Sequence, residues 1–221
     1  MSNFIKCLPD GYYATNIIET FKPLKPVNTN SEFHLRNGVI PNTLTLNHLE
    51  VIDFFVKLLR PNNFLELGVQ FGETTNRIID NIPGTYYAVD MAISDNIKHF
   101  SNTKSNFMFF HGPTDMFFKW LDETGQNLQL EMAFIDACHT HEASYKDFLN
   151  VKKHLKEDGI IFFHDTYPAD INWTINDLCS DCYKTAEVVR KNHSDEFEIV
   201  TLPIHPGLSI ARKCTKQLLW L

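Results

Sequence analysis

The stretch Phe64-Leu65-Glu66-Leu67-Gly68-Val69-Gln70-Phe71-Gly72-Glu73-Thr74 decides the fold. Phe64 to Leu67 reads as a short apolar strand interrupted only by Glu66. Gly68 and Gly72 bracket a tight turn, and a helix follows from about Glu73 to Asn81. A strand that passes through a glycine turn into a helix is the building unit of a parallel sheet, and open parallel sheets bind ligands at the carboxyl ends of their strands. Glycine there lets the backbone turn sharply and come close to a ligand. A dinucleotide fingerprint requires G-x-G-x-x-G, with a helix amino terminus on the pyrophosphate. This turn instead reads G-x-x-x-G behind an acid, which suits a ligand without phosphates and counts against a nicotinamide dehydrogenase.

Strand and helix signals alternate on both sides of this turn. Upstream, Leu46, Leu49, Ile52, Phe55, Leu58 and Leu59 recur at helical spacing, with Arg60 at the negative end of the helix dipole and Pro61 as the stop. Downstream, a second strand from Thr85 to Val89 ends in Asp90, 22 positions beyond Gly68. A carboxylate at that place can accept hydrogen bonds from both hydroxyls of a ribose. Phe107 to Phe110 is a third strand, followed by a helix around Thr114–Asp122. Leu130 to Ile135 is a fourth, ending at Asp136. His141 to Leu155 is amphipathic through Tyr145, Phe148, Val151 and Leu155. Gly159 to Phe163 is a fifth strand, apolar throughout as a doubly covered parallel strand should be, and a helix near Ile175–Lys191 follows. Phe197 to Leu202 and Leu208 to Ala211 flank Pro203, His205, Pro206 and Gly207 and read as a hairpin. The pattern predicts an α/β, Rossmann-like three-layer sandwich: a mostly parallel seven-stranded sheet with a C-terminal antiparallel hairpin. Residues 1–44, with Pro9, Pro23, Pro26 and Pro41, read as an arm or cap, and 45–221 as one domain.

The composition agrees. A chain of 221 residues, 43% hydrophobic and 21% charged, is ordinary for a globular protein with one core, which excludes disorder and coiled coil as its main character. The net charge of −7 disfavours a nucleic-acid surface. Five cysteines carry no secreted framework. Cys179-x-x-Cys182, with no second pair, reads as two thiols in a reducing compartment rather than as a zinc site. The amino terminus has no apolar signal segment and no run approaches the ~20 residues that span a bilayer, so a cytoplasmic protein with no membrane partner is expected. Ten histidines and eighteen phenylalanines remain to be placed.

Glu66-x-Gly68-x-x-x-Gly72 after the first strand, Asp90 after the second and the terminal hairpin together resemble a class I S-adenosylmethionine-dependent methyltransferase. The second half narrows the resemblance to the methyltransferase-24 type. Phe134-Ile135-Asp136-Ala137-Cys138-His139-Thr140-His141, then Asp147, then Gly159 to Thr166 with His164-Asp165, and finally Gly207-Leu208-Ser209-Ile210-Ala211-Arg212 follow that family's run of motifs. The likeness spans about Leu46 to Arg212. It departs at Ala137 (for Gly), at His141 (for Tyr) and at Glu157-Asp158 (for Pro-Gly). It implies S-adenosyl-L-methionine as cofactor. Glu66 would hold its amino-acid end, Gly68, Gly72 and Thr74 would shape the turn, Asp90 would take the ribose, and His111, Gly112 and Thr114 would border the adenine.

The fourth and fifth strands are expected as neighbours, ~4.8 Å apart. Asp136 closes one; His164 and Asp165 close the other; His139 and His141 lie in the loop after Asp136. Five acid or imidazole groups therefore meet where the sulfonium should point. Relatives often hold a divalent cation there, which carries over to Asp136, His164 and Asp165 as ligands of Mg2+ or Mn2+; the alternative is that the acids orient substrate without an ion. An alcohol must lose its proton near the transition state, and His139, with Asp136 beside it, is the candidate base. His141 begins the next helix. His34, His48, His99, His154, His193 and His205 carry no motif.

The implied function is O-methylation of a small hydroxylated acceptor, with a sugar or sugar nucleotide suggested by relatives. Other readings are methylation of nitrogen, protein or nucleic acid, and a non-catalytic donor-binding scaffold. The absence of Asn/Asp-Pro-Pro-Tyr/Phe after the fourth strand counts against the amino nucleophile. The aromatic-rich arm is a candidate surface for a second copy of the chain, so a homo-oligomer is an open expectation.

Overall fold

The computed structural model describes residues 47–175, 178–204 and 206–214. The arm expected over 1–44 lies outside them. So do His34 and His205.

Seven strands form one sheet: β1 Asn63–Leu67, β2 Thr85–Asp90, β3 Phe107–His111, β4 Leu130–Ile135, β5 Leu155–His164, β6 Phe197–Leu202 and β7 Leu208–Lys213. Their order is β3-β2-β1-β4-β5-β7-β6. The first five are parallel, and β7 runs antiparallel to both β5 and β6. Six α-helices are described: α1 His48–Leu59, α2 Glu73–Ile78, α3 Asp95–Thr103, α4 Thr114–Thr124, α5 His141–His154 and α6 Tyr183–Asn192. Among the described residues no helix is long and apolar enough to cross a membrane.

Because side chains alternate along a strand, each strand feeds two cores. Phe64, Phe134 and Phe162 face one side, where α1 contributes Val51, Ile52, Phe55 and Val56. Leu65, Leu67, Ala133, Ile135, Ile161 and Phe163 face the other, against Phe117, Phe148 and Val189 of α4, α5 and α6. Each fully buried side chain of this size stabilises by about 1.5–3 kcal/mol. Glu66 has the parity of Phe64, so the sheet itself drives a carboxyl group under the α1 and α2 layer.

The sequence reading needs three amendments. Asp95–Thr103 is an unanticipated helix: only Ile97 and Phe100 are buried, too few to show a stripe, and its start is set by Ser94, whose side chain caps Ile97 N. The helix expected from Ile175 begins only at Tyr183; a 3-10 turn, Ile171–Thr174, and the turns around Cys179 precede it. Strand β5 starts at Leu155 rather than Gly159, with Asp158 at φ +61° and a register shift against β4.

The switch point lies between β1 and β4, on either side of which the chain winds in opposite directions. There Asp136 N donates to Leu67 O at 2.8 Å, and a Cβ placed on Gly68 (φ +86°) would stand 2.0 Å from the Asp136 carbonyl oxygen. No side chain fits. Gly125, which closes α4 at φ +65°, has open space instead. In urea denaturation Gly125→Ala should cost only the left-handed penalty of about 1–2 kcal/mol, and Gly68→Ala considerably more or the fold itself. Equal losses would show that β1 and β4 can part without cost.

Candidate active site

A cavity of about 450 Å³ opens at the carboxyl ends of β1, β2, β4 and β5. That volume falls within the ~300–1,000 Å³ of small-molecule sites. One wall is the glycine turn, Gly68 to Phe71, with Glu73, Thr74 and Asp90; the other is His48, Asp136, His139, His164, Asp165, Trp173 and Leu178.

The first wall is ordered by two carboxylates. Asp90 Oδ2 accepts from Val69 N and Gln70 N, both at 2.7 Å, and its Oδ1 accepts from Ala92 N at 2.7 Å. It pins the turn to the end of β2, and Oδ1 keeps capacity for a further donor. Gln70 takes the left-handed conformation, φ +50°, that this pinning demands. Glu66 accepts from Thr75 Oγ1 at 2.5 Å and Tyr86 OH at 2.6 Å. Burial raises its pKa to about 7, against the pull of those two hydroxyls.

The second wall is a chain of charges. His164 Nδ1 lies 2.9 Å from Asp136 Oδ1 and 3.5 Å from Asp165 Oδ1, and its Nε2 lies 3.1 Å from His48 Nδ1. Burial opposes charge on His164, but Asp136 and Asp165 outweigh it and push its pKa up to about 10. Burial and then the His164 charge drive His48 down to about 3, against Asp165. His164 is therefore a cation donating from both nitrogens, and His48 is neutral with Nδ1 accepting. Asp165, at φ +58°, is buried, yet His164, His139 and the Cys179 thiol hold its pKa low.

His139 Nδ1 lies 2.6 Å from the Leu178 carbonyl oxygen. A carbonyl only accepts, so the Nδ1 proton is aimed at Leu178, and Nε2 lies 3.6 Å from Asp136 Oδ1. Asp165 Oδ2 is 3.1 Å from the same Nδ1 but accepts no hydrogen bond, because the N–H is aimed at Leu178.

One convergent group bears on the expected metal set of Asp136, His164 and Asp165. The ligand atoms lying within 4.8 Å of one another belong to Asp136, His139 and Asp165. His164, also expected as a ligand, has Nδ1 2.9 Å from Asp136 Oδ1 and Nε2 3.1 Å from His48 Nδ1. Two carboxylates and an imidazole fit a divalent ion, and the buried Asp165 Oδ2 has coordination capacity to spare. The two cysteines do not join them. Cys179 Sγ donates to Asp165 Oδ1 at 3.4 Å and Cys182 Sγ to the His164 carbonyl at 3.6 Å. Burial pushes both thiols up, Cys182 to about 12, so they serve as donors beneath the acids.

His111, Gly112 and Thr114 do not line the cavity. His111 Nε2 lies 3.0 Å from the Met91 carbonyl oxygen, and Thr114 bonds the buried Asp147 carboxyl. His141 opens α5 after the Thr140 cap, with Nδ1 3.1 Å from Thr185 Oγ1. His154, unassigned by motif, is buried and stacks on Phe118 at 6.1 Å. Sequence reasoning missed His48 and Leu178, which no spacing rule links to the strand ends; Trp173, in a stretch the sequence reading gave a part in pocket shape, lines the cavity with them.

Burial of Glu66 has a measurable sign. A carboxyl whose folded pKa, about 7, exceeds its unfolded value near 4.5 contributes stability below pH 4.5 that is lost as pH rises through 7. Denaturation of Glu66→Gln between pH 5 and 8 should show a flatter decline than the native chain. Parallel curves would mean that Glu66 is charged throughout.

Comparisons with known proteins bear on the family and the fold. Residues 65–166 match the family model Methyltransf_24, described as a methyltransferase domain. No curated protein matches the sequence. Among solved structures, an O-methyltransferase from Bacillus cereus in complex with S-adenosylhomocysteine is similar at 14% identity, covering 90% of this chain and 97% of its own, with a TM-score of 0.62. The O-methyltransferase TomG from Streptomyces achromogenes, involved in tomaymycin synthesis and solved with S-adenosylmethionine, is similar at 10% identity, covering 90% and 96%, with a TM-score of 0.62. An S-adenosylhomocysteine-bound methyltransferase from Podospora anserina is similar at 12% identity, covering 93% and 97%, with a TM-score of 0.58. At these identities the likeness is one of fold. Residues 65–166 thus match the methyltransferase-24 family in sequence, and the fold around them is the class I methyltransferase fold.

Proposed function

We propose that the chain is an S-adenosylmethionine-dependent O-methyltransferase of a small hydroxylated acceptor. One observation carries the reading: His139 Nε2 lies 3.6 Å from Asp136 Oδ1 in the same cavity that the glycine turn and Asp90 also line. The donor's ribose is assigned to Asp90 and its amino-acid end to the Glu66 side of the turn. The sulfonium then points to Asp136. His139 Nε2 takes the acceptor's hydroxyl proton while the oxygen attacks the methyl carbon; the carbon–sulfur bond breaks, its electron pair stays on sulfur, and the neutral thioether leaves. The imidazolium formed at His139 is stabilised by Asp136 at 3.6 Å and Asp165 at 3.1 Å. The acceptor is taken to be a ring compound such as a sugar or sugar nucleotide; Trp173, in the wall beside the acids, offers an aromatic face for it.

A second reading rests on the convergence of Asp136, His139 and Asp165 and on the unpartnered Asp165 Oδ2. Those three residues would hold Mg2+ or Mn2+, which when bound lowers the pKa of a coordinated hydroxyl.

Calorimetry should show binding of S-adenosylhomocysteine that Asp90→Ala weakens; no binding would sink the proposal. With a panel of hydroxylated acceptors, nucleotide sugars included, His139→Ala should lower turnover roughly a hundredfold or more while donor affinity holds. Activity that survives EDTA supports His139 as base. Activity lost in EDTA and restored by Mg2+ or Mn2+ supports the second reading.

A further inference from the structure

The site contains a histidine from outside the family-matched stretch. His48 is the first residue of α1. Its place is fixed by a capping box: Glu50 N donates to the Asn47 side chain at 2.9 Å, and Asn47 N to the Glu50 carboxylate at 3.3 Å. Such boxes hold a helix start to within one residue and contribute about 1 kcal/mol. On the opposite side, alternation along β5 gives His164 the parity of Phe162, toward the α1 layer. The two rings meet with centroids 4.2 Å apart at 61°. Phe134 floors both, nearly parallel to His48 at 6.1 Å and edge-on to His164 at 5.9 Å.

We propose that His48 is a positioning residue for the transfer reaction: its Nδ1, 3.1 Å from His164 Nε2, fixes the ring that grips Asp136. A histidine ring with one partner can swing about its side-chain bonds; with partners at both nitrogens and a phenylalanine beneath, it has one orientation. That orientation puts Nδ1 2.9 Å from Asp136 Oδ1. His139 Nε2 meets the same oxygen at 3.6 Å, so the Asp136 carboxylate that faces the base is held in place from α1, 116 positions upstream of His164. The role in turnover rests on the methyl-transfer reading above; the geometry does not.

His48→Asn keeps a hydrogen-bonding group near the Nδ1 position, and His48→Ala removes it. Ring N–H protons of His164, followed by NMR on protein with 15N-labelled histidine, should appear protected from solvent in the native chain and in His48→Asn and be lost in His48→Ala. Turnover should fall about tenfold to a hundredfold in His48→Ala, as expected for a buried polar group left without its partner, with the Kd for S-adenosylhomocysteine unchanged and most of the loss recovered in His48→Asn. Protected His164 signals persisting in folded His48→Ala would overturn the proposal, as would His48→Asn being as slow as His48→Ala. If the native chain transfers no methyl group, the proposed function fails, while the NMR comparison still decides the role of His48.

Discussion

Everything at the cavity depends on how closely β1 and β4 approach at their carboxyl ends. Asp136 N bonds Leu67 O, and the carbonyl of Asp136 fills the space a side chain on residue 68 would need. This contact turns the chain sharply after β1, directs the Gly68–Gly72 turn over Asp90, and leaves Asp136 at the lip of the crevice. A sheet that switches direction between two strands always opens a crevice there. The glycine makes this one narrow enough that the turn and the Asp136 carboxylate share a single cavity.

Within that cavity the charges are balanced internally. Asp136 and Asp165 sit at neighbouring strand ends, and two carboxylates so close would repel if left alone. The His164 cation lies against both, which explains why Asp165 stays ionised although buried. An adjacent positive charge favours the anionic form of a carboxyl group. That suits a cationic sulfonium in front of them and, equally, a developing imidazolium at His139. The cysteine pair fits the same logic as two protonated donors packed under the acids.

The sheet was legible in the sequence because its strands are short apolar runs ended by acids, and the spacing from Gly68 to Asp90 showed which ends would meet. The order of Asp136, His139, His164 and Asp165 was legible for the same reason. Helix α3 was not, since DNIKHFSNT buries two side chains and is otherwise polar. Nor was the late start of α6, because turn residues around Cys179 share the polar character of a helix's outer face. His48 was illegible on principle: it reaches the site through the packing of α1 on β5, and no local pattern encodes that. That His139 converges with Asp136 and Asp165 has a similar cause, since strand position tells which residues meet but not how the rings in the following loop turn.

The central claim is that one cavity holds a methyl donor along the glycine turn with its sulfur toward Asp136 and His139. A crystal structure of the protein with S-adenosylhomocysteine tests this most directly. The account predicts the ribose hydroxyls at Asp90 and the sulfur on the side of the cavity walled by Asp136 and His139. A ligand seated elsewhere, or one whose sulfur faces away from those two residues, would contradict it.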